Sequence, residues 1–320
     1  MNLTNMLQYL IILLDKASVP YCHVPSMMSK NKGLMPLETL RRGIVFAMKE
    51  NLNIQFVYPT YELPAEYEEV IESIDHTKIK PATQAEGADV LVIEDWTHHM
   101  PDDIDGATCI IHASRIELRE YLMKVKELLG RVARLNVVLT DTEAFRDEDI
   151  DSYSSLLNEL SDYLIDFFKQ GRLVQLNLLT DRLLLTQMNN CGVGDTTVTL
   201  APNGRFYLCP AFYHEDEGQS VGDLATGLNI KNRQLLRLDY APICRHCDAF
   251  HCRRCIWMNS RLTLDANTPG HQQCVIAHLE RNASRALLQK METEGIRMSN
   301  THDIEEIDYL DPFNNYKQWK

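Results

Sequence analysis

Seven of the nine cysteines in this 320-residue chain fall between Cys191 and Cys274, and no other feature restricts its folding so strongly. The spacing reads Cys191, twelve residues, Gly204, four residues, Cys209, then Cys244-x2-Cys247-x4-Cys252-x2-Cys255, with Cys274 after eighteen more. Cys22 and Cys109 stand apart upstream. The longest apolar run, Tyr9 to Leu14, is too short to span a bilayer, and no Lys or Arg precedes it as a signal peptide would require. A cytoplasmic location is therefore expected. There thiols stay reduced, and a dense group of them reads as metal ligation before it reads as a disulfide framework. Thiolates paired two residues apart can grip a metal centre from a tight turn, a four-iron cluster takes four such ligands, and seven ligands suit two centres better than one. The thiols from Cys244 to Cys255, with His246, His251 and His271 nearby, could instead build a tetrahedral zinc site of four cysteines, or of three cysteines and one histidine. Zinc would leave Cys191, Cys209 or Cys274 without a clear task.

Upstream of the cysteines, short runs that are apolar at nearly every position alternate with helical patterns. Strands of that kind are buried on both faces, as in a parallel sheet. They are expected near Gln8–Leu14, Asn53–Tyr58, Ala88–Ile93, Thr108–Ala113, Leu135–Leu139 and Leu173–Leu179. Amphipathic helices are expected at Leu37–Glu50, with Leu37, Leu40, Ile44 and Ala47 on one face, at Ile116–Leu129 before Gly130, and at Asp147–Gln170 before Gly171. A helix between Ala65 and Asp75 is also expected, and none in the Val92-to-Thr108 connection. The fold class is α/β. Several strands end in Asp15, Glu94 with Asp95, Thr140 with Asp141, or Thr180 with Asp181. Such ends face the ligand site in parallel α/β folds, although acids and hydroxyls there also simply cap the next element. The net charge of -13 is spread without a basic block, which sets nucleic-acid binding aside.

The texture changes after Gln187. Thr196–Leu200 and Arg205–Leu208, joined by Pro202-Asn203-Gly204, form a hairpin pattern with an Asn-Gly turn. Gly192-Val193-Gly194 precedes that hairpin and not a helix, so it is no nucleotide loop. His98-His99 with Glu94 and Asp95 could bind a metal at the strand ends, but the segment reads first as a solvated loop. Beyond Glu292 runs an acidic tail carrying Tyr309, Phe313, Tyr316 and Trp319. Three segments result: an α/β domain over 1–186, a cysteine-rich domain over 187–291 and the tail over 292–320.

The cysteine pattern resembles the SPASM domain of radical-SAM peptide maturases, which has a cysteine, a Gly-x4-Cys hairpin, a long gap, two cysteine pairs and a last cysteine. The chain departs from that pattern with four and two residues where the family has five and three, so the loops around Cys252 and Cys255 are expected to be tighter. The resemblance implies two [4Fe-4S] clusters. The first auxiliary cluster would use Cys191, Cys209 and Cys255, and the second Cys244, Cys247, Cys252 and Cys274. The first is one cysteine short, so a substrate thiolate or a non-cysteine ligand would complete it. The resemblance also implies a partial parallel (β/α) barrel like the radical-SAM core over the first segment.

A radical-SAM enzyme carries Cys-x3-Cys-x2-Cys after its first strand. Here the equivalent positions read Asp15-x3-Val19-x2-Cys22. One thiolate cannot hold that cluster, so S-adenosylmethionine is not expected as a cofactor. This combination, with Gly33-Leu34-Met35-Pro36-Leu37 and Asn51–Pro59, resembles the CXXX-repeat peptide maturases. It implies an accessory iron–sulfur role in maturing a ribosomally made, cysteine-containing precursor peptide, beside an intact radical-SAM subunit. The other readings are an independent peptide-modifying enzyme with an open-site cluster, and a zinc-stabilised peptide-binding scaffold.

Overall fold

The computed structural model describes residues 7–25, 31–302 and 304–305. The four tail aromatics lie outside the described residues. Along the chain the strands are β1 (Tyr9–Leu13), β2 (Asn53–Val57), β3 (Thr77–Pro81), β4 (Val90–Ile93), β5 (Thr108–Ala113), β6 (Arg134–Leu139), β7 (Gln175–Leu176), β8 (Thr197–Leu200), β9 (Phe206–Tyr207), β10 (Gly222–Asp223) and β11 (Gly227–Leu228). The α-helices are α1 (Leu37–Glu50), α2 (Ala65–Ile71), α3 (Arg115–Glu120), α4 (Leu122–Leu129), α5 (Ile150–Lys169), α6 (Asp181–Leu184), α7 (Pro210–Glu215), α8 (Ile256–Thr263) and α9 (His271–Thr293). The α/β class and the mostly parallel pairing agree with the sequence pattern.

The described residues form two compact units. One is drawn from Met1–Glu94 and Gly192–Arg237, the other from Asp95–Cys191 and Leu238–Lys320. In the first unit the strand order is β4-β3-β2-β1-β8-β9, parallel throughout except for the antiparallel β8–β9 hairpin. Leu10 and Ile12 of β1, Leu40, Ile44 and Ala47 of α1, and Leu200 and Phe206 of the hairpin share one core. Helix α1 comes so close that a Cβ on Gly43 would stand 2.4 Å from Leu200 Cδ2. The Gly192 and Gly194 backbones take φ of +72°, turning the chain directly into β8.

The second unit holds the parallel ladder β5-β6-β7. Helix α5 buries Tyr153, Leu156, Leu157, Leu160 and Leu164, and packs along α9, which buries Val275, Ile276, Leu279, Leu287 and Met291.

Four expectations differ in detail from the structure. Strand β3 is not legible in Thr77–Pro81 because its inward position is a lysine. Lys78 is 8% exposed, Glu72 receives its ammonium, and its backbone N–H donates to Asp89 Oδ2 at 2.7 Å. The helix expected over 116–129 is broken at Tyr121, whose ring meets Trp96 edge-on at 6.1 Å. A capping box on Ser114 and Glu117 starts its first half. The helix expected at Asp147 opens with a 3₁₀ turn, Asp147–Asp149, before α5. The strand expected over 173–179 shortens to Gln175–Leu176. The Asn177 side chain then takes over the next ladder bonds, accepting from Val137 N–H at 2.8 Å and donating to Val137 O at 3.0 Å. The Thr180 hydroxyl meanwhile bonds both backbone groups of Leu176.

Candidate metal centre

The cysteine pairs sit in a segment of tight turns. Cys244 opens a 3₁₀ turn, and Cys247 N–H donates to Cys244 O at 3.1 Å. Ala249 N–H points at Cys247 Sγ at 3.4 Å, and Cys252 N–H closes onto Ala249 O at 2.9 Å. Backbone N–H groups aimed at sulfur favour thiolate over thiol. Helix α9 supplies the remaining thiol from its first turn. Cys274, His278 and Arg281 fall at i, i+4 and i+7, hence on one helical face.

Cys244, Cys247, Cys252 and Cys274 line one enclosed cavity, together with Arg254 and His278. Burial pushes the Cys244 thiol up to about 11, with nearby Arg254 pulling the other way. Burial raises Cys274 to about 12, with Cys244 and Cys247 adding to it. The Cys252 thiol is raised further, by burial and then by Cys244, Cys247 and Cys274. Each thiol thus opposes ionisation of its neighbours, and a cation among them would reverse that balance.

Among the described residues, the metal-capable ligand atoms that all approach within 4.8 Å of one another are those of Cys247, Asp248 and His278. The four thiols as a set stand further apart. One tetrahedral zinc with four thiolates needs sulfurs about 3.8 Å apart. Soft thiols are donors that both zinc and iron–sulfur centres take.

The remaining sequence candidates divide. Cys255 precedes α8, and burial raises its thiol to about 12, with Cys191 the next contribution. Cys191 is exposed, and its N–H donates to Arg253 O at 3.0 Å. Both belong to the second unit, whereas Cys209 is buried in the first, just before α7. Of the three histidines considered for zinc, none lines the thiol cavity. His246 is exposed on the 3₁₀ turn. His251 is buried 3.2 Å from Glu280 Oε2, not aligned for a hydrogen bond, while Tyr153 donates to Glu280 Oε1 at 2.6 Å. His271 lines a separate cavity with Phe145 and Arg146. The histidine at the cavity is His278. Its only sequence signal was the four-residue step from Cys274 on an unbroken helix.

The strand ends serve local structure. Asp15 is fully buried, and its carboxylate accepts from Ala17 N–H at 2.7 Å, Gly33 N–H at 2.9 Å and Tyr61 O–H at 2.6 Å. Val19 is 2% exposed, and its N–H donates to Tyr58 O at 2.8 Å. Asp141 Oδ2 accepts from Arg115 Nε at 2.9 Å, and Asp181 pairs with Arg134 at 2.7 Å. His98 lies on the surface with Asp95, 2.7 Å away. No helix among the described residues is long and apolar enough to cross a membrane.

No known family profile and no curated protein matches the sequence. Among solved structures, native anSMEcpe with bound AdoMet and Cp18Cys peptide aligns with a TM-score of 0.58 at 13% identity, covering 90% of this chain and 99% of that one. The hexahistidine-tagged form of anSMEcpe with bound AdoMet gives 0.58 at 12% identity, with the same coverage. Streptococcus suis SuiB bound to precursor peptide SuiA aligns over 65% of this chain and 60% of that one, at 13% identity and a TM-score of 0.38. Over nine-tenths of its length the chain therefore shares the fold of anSMEcpe.

Proposed function

We propose that this chain is an accessory iron–sulfur protein in the maturation of a cysteine-containing, ribosomally made peptide of the CXXX-repeat kind, working beside an intact radical-SAM enzyme. The observation that carries the reading is the convergence of Cys244, Cys247, Cys252 and Cys274 on one cavity. These four would hold one [4Fe-4S] cluster; the second, on Cys191, Cys209 and Cys255, is implied by the cysteine pattern alone. When bound, the clusters supply one-electron transfer, or an iron position open to a peptide thiolate. The chain's own residues do the rest. Cys191, exposed at the surface, is the thiol nearest to solvent for a peptide cysteine to approach. Asp15 and Val19 fill two of the three positions a catalytic cluster would need, so generation of the reactive species falls to the partner.

A second reading has its own support. The cavity that the thiols line has a volume of about 30 Å³, room for about two waters. Cys247 Sγ and His278 Nε2 are 3.9 Å apart, close to the roughly 3.6 Å between a sulfur and a nitrogen on one tetrahedral zinc. His278 Nδ1 lies 2.8 Å from Cys274 O, an outer contact that steers Nε2 inward as metal-binding histidines are commonly steered.

Anaerobic reconstitution followed by iron, sulfide and zinc analysis separates the readings. Close to eight irons and eight sulfides per chain are expected for two four-iron clusters. Stoichiometric zinc without sulfide would overturn the iron–sulfur reading. Co-expression with the radical-SAM enzyme and precursor, followed by size-exclusion chromatography, tests the partnership. Separate elution, with peptide modification unchanged when this chain is omitted, would overturn the accessory role.

A further inference from the structure

Arg254 is among the largest fully buried side chains of the protein, at 1% exposure, and it lines the thiol cavity. A guanidinium keeps its charge at any accessible pH, and burying a charge costs several kcal/mol unless the surroundings compensate. Two side-chain amides hold this one in place. Nε donates to Asn190 Oδ1 at 2.9 Å, and Nη1 donates to Asn267 Oδ1 at 2.7 Å. Both of these acceptors are neutral amide oxygens. The backbone contributes as well, because Arg254 has φ of +41° in the two-residue step between Cys252 and Cys255. A bulky, non-glycine residue in that region is strained, and such strain persists only where the surroundings over-determine it.

The shortened cysteine step therefore carries a fixed cation to the wall formed by Cys244, Cys247, Cys252 and Cys274. We propose that Arg254 is the counter-charge of the metal–thiolate centre. It is a positioning residue that stabilises the more negative redox state and so raises the reduction potential. The inference rests on the iron–sulfur reading above. Reduction adds one electron and takes a four-thiolate, four-iron centre from two negative charges to three, with no bond made or broken. In the test the electron comes from dithionite. A buried cation in the wall of the same cavity would favour the added charge, since Coulomb energies in a low-dielectric interior far exceed those in water. The neighbouring Arg253, exposed to solvent, cannot do the same.

The test uses the full-length, anaerobically reconstituted protein, with potentials read from an EPR-monitored dithionite titration. Arg254→Gln is expected to lower the midpoint of one of the centres at least as far as a tenfold change in its reduction equilibrium, which is about 59 mV for one electron. Arg254→Lys should recover most of that shift, and Arg253→Gln should titrate with wild type. Unchanged midpoints in Arg254→Gln at wild-type iron and sulfide content would overturn the proposal. If Arg254→Gln does not assemble the centre, cluster content decides between Arg254→Lys and Arg254→Met. Recovery with lysine alone supports a role for the charge. Equal loss in both overturns it and leaves Arg254 as packing. Zinc without iron in wild type would remove the iron–sulfur reading itself, an outcome distinct from an iron-loaded protein whose potential ignores Arg254.

Discussion

Replacing Asp248 with alanine should unfold the second unit at markedly lower temperature and scatter the thiols. Its carboxylate is 1% exposed and accepts from Arg281 Nη1 at 3.0 and 3.2 Å. Arg182 Nη2 stands 3.8 Å away, and Arg182 Nε donates to the Asp248 backbone carbonyl at 3.1 Å. Both arginines are themselves buried, so removing the acid leaves two guanidinium groups in a low-dielectric interior. Breaking a buried pair in this way costs about 3–5 kcal/mol. For a unit of this size each kcal/mol moves the midpoint by about 2–4 °C, which gives a drop of about 6–20 °C. Asp248→Asn keeps the shape and one acceptor and should fall between alanine and wild type. Because Asp248 follows Cys247 directly and is tied to α9, which carries Cys274, the alanine variant should also retain less metal after reconstitution. Calorimetry of the metal-free protein and metal analysis of the reconstituted one measure the two effects separately. A midpoint within about 2 °C of wild type, the smallest shift expected per kcal/mol, would refute the claim that this ion trio holds the cysteine segment to the helix.

Three further outcomes follow from the structure. Asp15→Ala strips the acceptor from Ala17, Gly33 and Tyr61, and at about 1.5–3 kcal/mol per bond to a charged group it should cost at least about 3 kcal/mol in chemical denaturation of the first unit, while a loss under about 1 kcal/mol would show that the strand end does not depend on it. Burial pushes His214 down to about 4, below the ordinary histidine value near 6.5, so the unfolded chain takes up the proton first and stability should fall by up to about 3 kcal/mol as pH drops from about 6.5 to 4; denaturation midpoints of His214→Gln should lack that limb, and an identical pH profile would refute the assignment. The isolated, reduced protein should form no 5′-deoxyadenosine from S-adenosylmethionine above a protein-free control, and turnover would show that the contacts of Asp15 and Val19 have been misjudged.

The α/β class, the parallel core strands and the hairpin before Cys209 were all legible in the sequence. Buried strands are apolar at every position, amphipathic helices repeat every three to four residues, and an Asn-Gly turn needs only local chemistry. That Cys244, Cys247, Cys252 and Cys274 act as one ligand set is implied only by the family pattern they resemble, while the structure places all four on one cavity. Three things escaped that kind of reading, and each depends on a partner outside its own element. Strand β3 is built on a lysine that is tolerable inside only because Glu72 meets it. Asn177 completes the ladder of β6 with its side chain, which no backbone propensity encodes. His278 becomes a neighbour of Cys247 only when α9 and the 244–255 turns lie together. Local sequence set the candidate donor residues and the elements that present them, because side-chain chemistry and periodicity are properties of single residues and their near neighbours. Tertiary structure alone decided which charges surround those donors, because a buried arginine or histidine acts through distance and dielectric, and neither quantity exists until the chain has folded.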